Sequence, residues 1–309
     1  MRVPSFFAKI LLFGEYGIIY NSKGLSIPYK FYYGALKIPK TKSNFSDDSH
    51  KKLLYFSKYL KKLDKDLISF NWEKFNFDLE RKIYFESSIP QGYGVGSSAA
   101  LVSAIYDKYA LSKILFDENL DKKRMLQLKN IFSLMESFFH GKSSGLDPLN
   151  SYLKKPILIN SKDNIQTINI PSQNDYGKGA IFLVDSGEIG KTAPMISLFT
   201  ENMKNEAFNN LIIERFIRYS DACIENFING NINLLFTNIK SLSKFVLKNL
   251  KPMIPNTFHQ LWKTGIDSET YYLKLCGSGG GGFILGFTED FEKAQKKLKD
   301  YPLKLVYLF

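Results

Sequence analysis

The chain has 309 residues, 44 % hydrophobic and 15 % aromatic, which is enough apolar mass for two lobes or one large α/β unit. Its net charge of +12 comes almost wholly from lysines dispersed among Asn, Ile and Phe; the arginines are Arg2, Arg81, Arg124, Arg215 and Arg218. Nucleic-acid readers concentrate arginine forks in basic stripes, so this pattern argues against such a partner.

In chain order, Ala8–Phe13 reads as a short apolar strand, with Tyr16–Tyr20 as its hairpin partner across Gly14-Glu15. Further strand runs from Leu25 to Ile38, broken by Pro28 and Gly34. Helical periodicity covers Lys51–Leu67, and alternation over Phe75–Ser87 predicts a long strand leading to a glycine loop. Helices follow at Ser98–Leu115 and Asp121–His140, then strands at Pro156–Asn160, Ile165–Ile170 and Ala180–Asp185. From Thr192 to Lys251 the pattern is mainly helical, and Pro252 and Pro255 end it. Strand Tyr271–Cys276, a glycine turn, strand Phe283–Phe287, helix Asp290–Lys299 and strand Leu303–Leu308 close the chain in a ferredoxin-like pattern. The change of character near residue 190 predicts a lobe at 1–190 and a second at 191–309.

Four constellations can carry chemistry. In Pro90-Gln91-Gly92-Tyr93-Gly94-Val95-Gly96-Ser97-Ser98-Ala99-Ala100, three alternate glycines run into two serines and an apolar helical pattern. Glycines at positive φ bring successive N–H groups together, and the start of a helix offers unpaired donors, so the segment suits an anion. It is neither a Walker A nor a dinucleotide motif, and a capped glycine turn is the plain alternative. Gly277-Ser278-Gly279-Gly280-Gly281-Gly282 has more glycine than a hairpin needs, which means close approach to a ligand or another glycine loop, or else simple flexibility. Glu136 and His140 share a helical face, and a polar loop delivers Asp147 eleven residues after Glu136. Such a carboxylate pair can hold Mg²⁺ and accept a proton, although a solvated loop aspartate is an equal reading of Asp147 alone. Lys9, in an otherwise apolar strand, faces a cleft or snorkels from an edge.

Together, in this order, the four resemble the GHMP kinase family. Lys9 to Pro28 is similar to its first motif, Pro90 to Ala100 to its phosphate-binding second, and Lys274 to Gly286 to its glycine-rich third; Ser144-Gly145-Leu146-Asp147 resembles its catalytic-aspartate loop. The resemblance covers most of the chain and is strongest to the branch that phosphorylates mevalonate. It implies an α+β, two-lobed fold with an N-terminal α/β lobe and a C-terminal ferredoxin-like lobe. It also implies an ATP- and Mg²⁺-dependent small-molecule kinase making 5-phosphomevalonate. Asp147 would take or orient the acceptor's hydroxyl proton, and Lys9 would stabilise its charge and that of the transferring phosphoryl. Ser98 and Glu136 would bind the metal; Gly92, Gly94, Val95, Gly96, Ser97 and Ser98, with Gly279, Gly280 and Gly281, would hold ATP. Glu15, Tyr16 and Thr192 would stand near the acceptor. Tyr16 departs from that branch, which carries histidine there, and Gly-Glu-Tyr is more like phosphomevalonate kinases. Gln91-Gly92-Tyr93 is bulkier than the family's usual loop. The alternatives are therefore phosphomevalonate kinase, another small-molecule or sugar kinase of the family, and a non-catalytic ligand sensor.

The two distant cysteines, Cys223 and Cys276, fit a reducing compartment with no disulfide framework. Met1–Ala8 does not read as a signal peptide, and no apolar run approaches the roughly 20 residues of a membrane span, so a cytoplasmic monomer or homodimer is expected.

Overall fold

The apolar run that opens the chain is strand β1 (Phe6–Phe13), next to β2 (Gly24–Lys37) in its sheet. The computed structural model describes residues 4–39, 46–115 and 120–309. Between the two strands the expected hairpin partner is instead a 3₁₀ turn, Gly17–Tyr20. Gly14 (φ 107°) and Tyr16 (φ 61°) both leave extended geometry, and Ile18 N–H donates to the Gly14 carbonyl at 3.1 Å, so the chain curls there. Nor do Pro28 and Gly34 break β2, which is continuous. Gly34 lies under the Phe85 ring, where a Cβ would come within 2.2 Å of Cζ.

Two compact units divide the chain. The first comprises Met1–Lys9, Ile27–Pro90 and Gly96–Lys155. Its first helix, α1 (Asp47–Leu60), starts where the Ser46 hydroxyl accepts from Ser49 N–H, and it ends sooner than Leu67. Phe75–Ser87, expected as one strand, is helix α2 (Trp72–Glu80) followed by the short strand β3 (Tyr84–Ser87). Asn71 caps α2 through Lys74 N–H at 2.9 Å, and Phe75, Asp78 and Leu79 are buried at helical spacing while Phe77 stays exposed. The apparent alternation therefore came from an exposed aromatic. Strand β3 pairs antiparallel with the end of β2, Gly34 opposite Ser87. Helix α3 (Ser97–Tyr109) ends before Leu115 because Ala110 turns extended; α4 spans Lys122–His140 from an Asp121 cap, and α5 spans Leu146–Leu153. Burial of Ala99 through Tyr106 wraps α3 in its neighbours, with Phe56, Phe75, Tyr109 and Phe132 filling the core. Each such side chain contributes about 1.5–3 kcal/mol of transfer free energy. Ser103 Oγ donates to the Pro148 carbonyl at 2.8 Å, which fixes α5 on α3.

The second unit comprises Ile10–Ser26, Gln91–Val95 and Pro156–Phe309. Here β4 (Ile157–Ser161) pairs with Gly24–Ser26 of β2 and with β5 (Asn164–Thr167), which is shorter than the expected Ile165–Ile170. A second antiparallel sheet runs in the order β7 (Tyr272–Leu275), β8 (Phe283–Thr288), β6 (Ala180–Asp185), β9 (Leu303–Leu308). That order, with α11 (Phe291–Lys297) between β8 and β9, is the ferredoxin-like arrangement, and β6 is its first strand. The helical stretch resolves into α6 (Thr192–Asn202), α7 (Glu206–Leu211), a π-helical segment Ile212–Ile217, α8 (Arg218–Ile228), α9 (Ile232–Asn249) and α10 (His259–Ser268). Helices α9 and α10 pack on β7, and Trp262 is fully buried there with its indole N–H on the Ser243 carbonyl at 3.1 Å. No helix among the described residues is long and apolar enough to cross a membrane.

Candidate active site

In the first unit, β1 ends its share of the fold at Lys9, which is 5 % exposed. Its stem runs beside Gly96, so that a Cβ there would meet Lys9 Cγ at 3.0 Å, and its ammonium reaches Asp147 Oδ2 at 2.9 Å. A buried lysine needs a partner, and Asp147 supplies it while keeping 42 % of its own side chain exposed. Asp147 lies in the first turn of α5, which starts at Gly145 with φ 74° and no side-chain cap. A Cβ on Gly145 would fall 2.0 Å from the Lys129 carbonyl oxygen and 2.6 Å from Ser133 N; only glycine lets α5 begin this close to α4.

Glu136, 4 % exposed on α4, accepts hydrogen bonds from Ser98 Oγ at 3.0 Å and Ser143 Oγ at 2.5 Å. Burial pushes its carboxyl up to about 7, and the nearby charge of Asp147 adds to the rise; the two serines and Lys9 oppose it. The donor set is therefore hard oxygen, one carboxylate and one hydroxyl from the start of α3, in a place where an added positive charge relieves a carboxylate held against burial. That fits Mg²⁺, which takes one or two carboxylates and completes its shell with water and phosphate oxygens. No cluster of three or more His, Cys, Asp or Glu side chains suited to a metal occurs among the described residues, so the protein alone offers an incomplete shell. Helix α3 starts at Gly96 (φ 81°) with no side-chain cap, unlike α1, α2 and α4, which leaves its first N–H groups for an anion.

In the second unit, four backbone segments nest together. Gly190 N–H donates to the Gly92 carbonyl at 2.9 Å, Gly282 N–H to Glu188 at 2.6 Å, and Gly280 N–H to Met253 at 2.7 Å. A Cβ on Gly94 would lie 2.8 Å from the Cys276 carbonyl oxygen, and one on Gly282 would lie 2.7 Å from Tyr93 Cα. The glycines of 277–282 thus permit close approach to several segments: Gly282 to Tyr93 of the other glycine loop, Gly279 to the Met253 carbonyl, Gly280 to Met195 and Gly281 to Ile189 and Gly190. Thr192 is exposed at the first position of α6. Glu15 and Tyr16 are both 5 % exposed: Glu15 pairs with Lys274 Nζ at 2.5 Å, and the Tyr16 hydroxyl donates to the Ser278 carbonyl.

The structure thus brings Lys9, Asp147, Ser98 and Glu136 together in one unit, and Glu15, Tyr16, Gly92, Gly94, Gly279, Gly280 and Gly281 in the other. The side chain of His140 lies outside the described residues. Sequence reasoning passed over Ser143, one of many loop serines, and Lys274. The latter carries the signal that drew attention to Lys9, an ammonium in a fully buried strand.

An uncapped helix start beside a lysine, an aspartate and a buried carboxylate offers donors and charge suited to a phosphate group. Residues 55–154 match the family model of the GHMP kinases N terminal domain. The mevalonate kinase of Archaeoglobus fulgidus is 26 % identical over 208 residues, 66 % of this chain; the match spans 64 % of that relative, a little under two thirds. Among solved structures, L. major mevalonate kinase in complex with R-mevalonate has a TM-score of 0.62 at 15 % identity, covering 100 % of this chain and 96 % of that one. Streptococcus pneumoniae phosphomevalonate kinase in complex with phosphomevalonate and AMPPNP has a TM-score of 0.61 at 13 % identity, covering 99 % of both chains. Residues 55–154 thus match the N-terminal domain of the GHMP kinases, and the chain shares its fold with these solved kinases.

Proposed function

We propose that the protein transfers the γ-phosphoryl group of ATP to a hydroxyl of a small hydroxy acid, with mevalonate as acceptor and 5-phosphomevalonate and ADP as products. The observation that carries this reading is the Lys9–Asp147 contact of 2.9 Å, with Ser98 and Glu136 joined in the same unit. The similarity to mevalonate kinases supports the choice of acceptor.

In this reading an Asp147 carboxylate oxygen takes or orients the proton of the acceptor hydroxyl. The freed oxygen attacks the γ-phosphorus, and the bond to the β–γ bridging oxygen breaks with its electrons leaving on ADP. Lys9 holds Asp147 in place and offers positive charge to the transferring group. The loop from Gly92 to Ser98 meets the phosphates through its backbone N–H groups, with Gly279–Gly281 as a second glycine element for the nucleotide. Ser98 and Glu136 would hold Mg²⁺, which supplies charge neutralisation to the phosphates. Little covalent chemistry is asked of the protein; positioning and charge do the work. The reading includes a cytoplasmic setting.

The test is ADP release by the purified protein with Mg-ATP, offered mevalonate and 5-phosphomevalonate in parallel. Turnover with mevalonate is the expected result. Turnover with 5-phosphomevalonate alone overturns the acceptor assignment, and silence with both overturns the hydroxy-acid reading. Asp147→Asn is expected to lower kcat by about 10²–10⁴-fold, as loss of a general base does, with Mg-ATP affinity within about threefold of wild type. Undiminished turnover in that variant removes Asp147 from the mechanism.

A further inference from the structure

Glu15 and Tyr16, neighbours in the chain, grip Lys274 at the end of β7 and Ser278 at the start of the glycine hairpin. We infer that they are positioning residues, a two-point clasp that sets the hairpin 277–282 for nucleotide binding, rather than contacts to the acceptor. The catalytic consequence rests on the kinase reading above; the clasp itself does not.

The hairpin cannot hold its own shape. Gly277, Gly279, Gly280, Gly281 and Gly282 all have positive φ, and a chain so rich in glycine loses more conformational freedom on ordering than any other. It is ordered from outside, by Gly280 N–H on Met253, by Gly282 N–H on Glu188, and by the Tyr16 hydroxyl on the Ser278 carbonyl at 2.5 Å. The first two are backbone contacts that any sequence provides. The third depends on a side chain, and the protein accommodates a strained residue to make it. Tyr16 sits at φ 61° and ψ −43°, a conformation that bulky residues avoid. Its ring is stacked on Phe199 at 4.2 Å, which fixes the direction of the hydroxyl. Burial, with Glu15 alongside, raises the phenol's pKa and keeps the hydroxyl a donor.

Four residues earlier, Lys274 Nζ lies 2.5 Å from Glu15 Oε1 and donates also to the Leu275 carbonyl at 2.8 Å. Phe216, Ser220, Leu242, Val246 and Leu275 enclose the pair around a cavity of about 10 Å³, space for one water at most. A buried ion pair adds little net stability over well-packed apolar side chains, so its use here is register. It fixes β7 lengthwise on the Gly14–Tyr16 turn, and Tyr16 then meets the hairpin at a defined residue. With its hydroxyl engaged by Ser278 and its ring by Phe199, Tyr16 reaches substrates through the hairpin.

The experiment compares wild type with Tyr16→Phe, which keeps the ring and removes the hydroxyl. Loss of one such hydrogen bond is expected to raise the KM for Mg-ATP by about 3- to 10-fold while kcat and the KM for mevalonate stay within about twofold. Amide exchange of 277–282, read by mass spectrometry, accelerates by a similar factor. Because Lys274→Met alone strands a buried carboxylate, the second variant is Glu15→Gln with Lys274→Met, expected to move the same two readouts in the same direction. A raised mevalonate KM with unchanged Mg-ATP KM makes Tyr16 an acceptor contact and overturns the inference, as does unchanged exchange in the hairpin. Should wild type turn over neither acceptor, the kinase reading falls, and the exchange rates still decide on the clasp.

Discussion

Glu136 is held in a form that disfavours its own charge. Its carboxyl, raised from 4.5 to about 7 chiefly by burial, binds a proton more tightly in the folded chain than in the unfolded one. Stability is therefore fully present below pH 4.5, falls as the pH rises to 7, and carries the whole cost above that. The shift corresponds to about 3 kcal/mol at most. In the metal-free protein, Glu136→Gln is expected to be about 1–3 kcal/mol more stable than wild type at pH 8 and equal to it at pH 4, read by urea denaturation with EDTA. Adding Mg-ATP should reverse the order, because wild type then gains a ligand that the variant has lost. Equal stabilities across the pH range would mean that the carboxylate is solvated. At this scale Lys9 stood out as an ammonium in an apolar strand, whereas Asp147 and Ser98 each had a plain reading, a solvated loop aspartate and a helix cap; the structure pairs Lys9 with Asp147 and Ser98 with Glu136. Lys274 and Ser143 were passed over: Lys274 is an ammonium in an apolar strand as Lys9 is, but its partner 259 residues away could not be read from the sequence, and a loop serine beside another serine has no distinguishing mark.

At the scale of elements, the starts of helices decide where the chemistry sits. Helix α5 begins at a glycine whose missing Cβ is needed twice, for φ 74° and for the 2.0 Å approach to the Lys129 carbonyl. Gly141, at the end of α4, shares the positive φ of 73° but has open space around it. Gly145→Ala is expected to cost about 3–5 kcal/mol, through backbone strain and displacement of α5, and to abolish turnover with Asp147 displaced. Gly141→Ala should cost only the backbone strain, about 1–2 kcal/mol, and keep activity. Denaturation midpoints and ADP release measure both, and equal costs would refute the packing argument. Elements were read well where an apolar run has clear ends: β6, buried on both faces, and β9 fall where their apolar runs put them, and α4 differs only by its cap. The misread segments have separate causes. Phe77 is an exposed aromatic that mimics strand alternation in α2, and Tyr16 is a bulky residue at positive φ, which sequence rules assign to glycine.

Over the whole molecule, the chain passes between its two units at Lys9–Ile10, Ser26–Ile27, Pro90–Gln91, Val95–Gly96 and Lys155–Pro156. The first two passages fall inside β1 and β2, and the fourth inside the glycine loop, so neither unit is a continuous stretch that can melt like a bead on a string. A split near residue 190, as composition suggests, would allow two transitions; interleaved segments should give one. The two tryptophans make this measurable, since half-buried Trp72 belongs to the first unit and fully buried Trp262 to the second. In Trp72→Phe, the remaining fluorescence reports the second unit alone, and Trp72 is the safer change because its half-buried ring contacts Phe70, Phe75 and Lys61, contacts that a phenyl ring can largely keep, whereas the Trp262 indole fills the core and bonds Ser243. Guanidinium titration of this variant is expected to give the same midpoint, within about 0.2 M, by tryptophan fluorescence and by circular dichroism at about 222 nm, which sums the helices of both units. A helical signal that falls in two steps, with fluorescence following only one, would show that the units unfold separately. Lys9 and Asp147 could then come apart while Glu15 and Lys274 stayed paired.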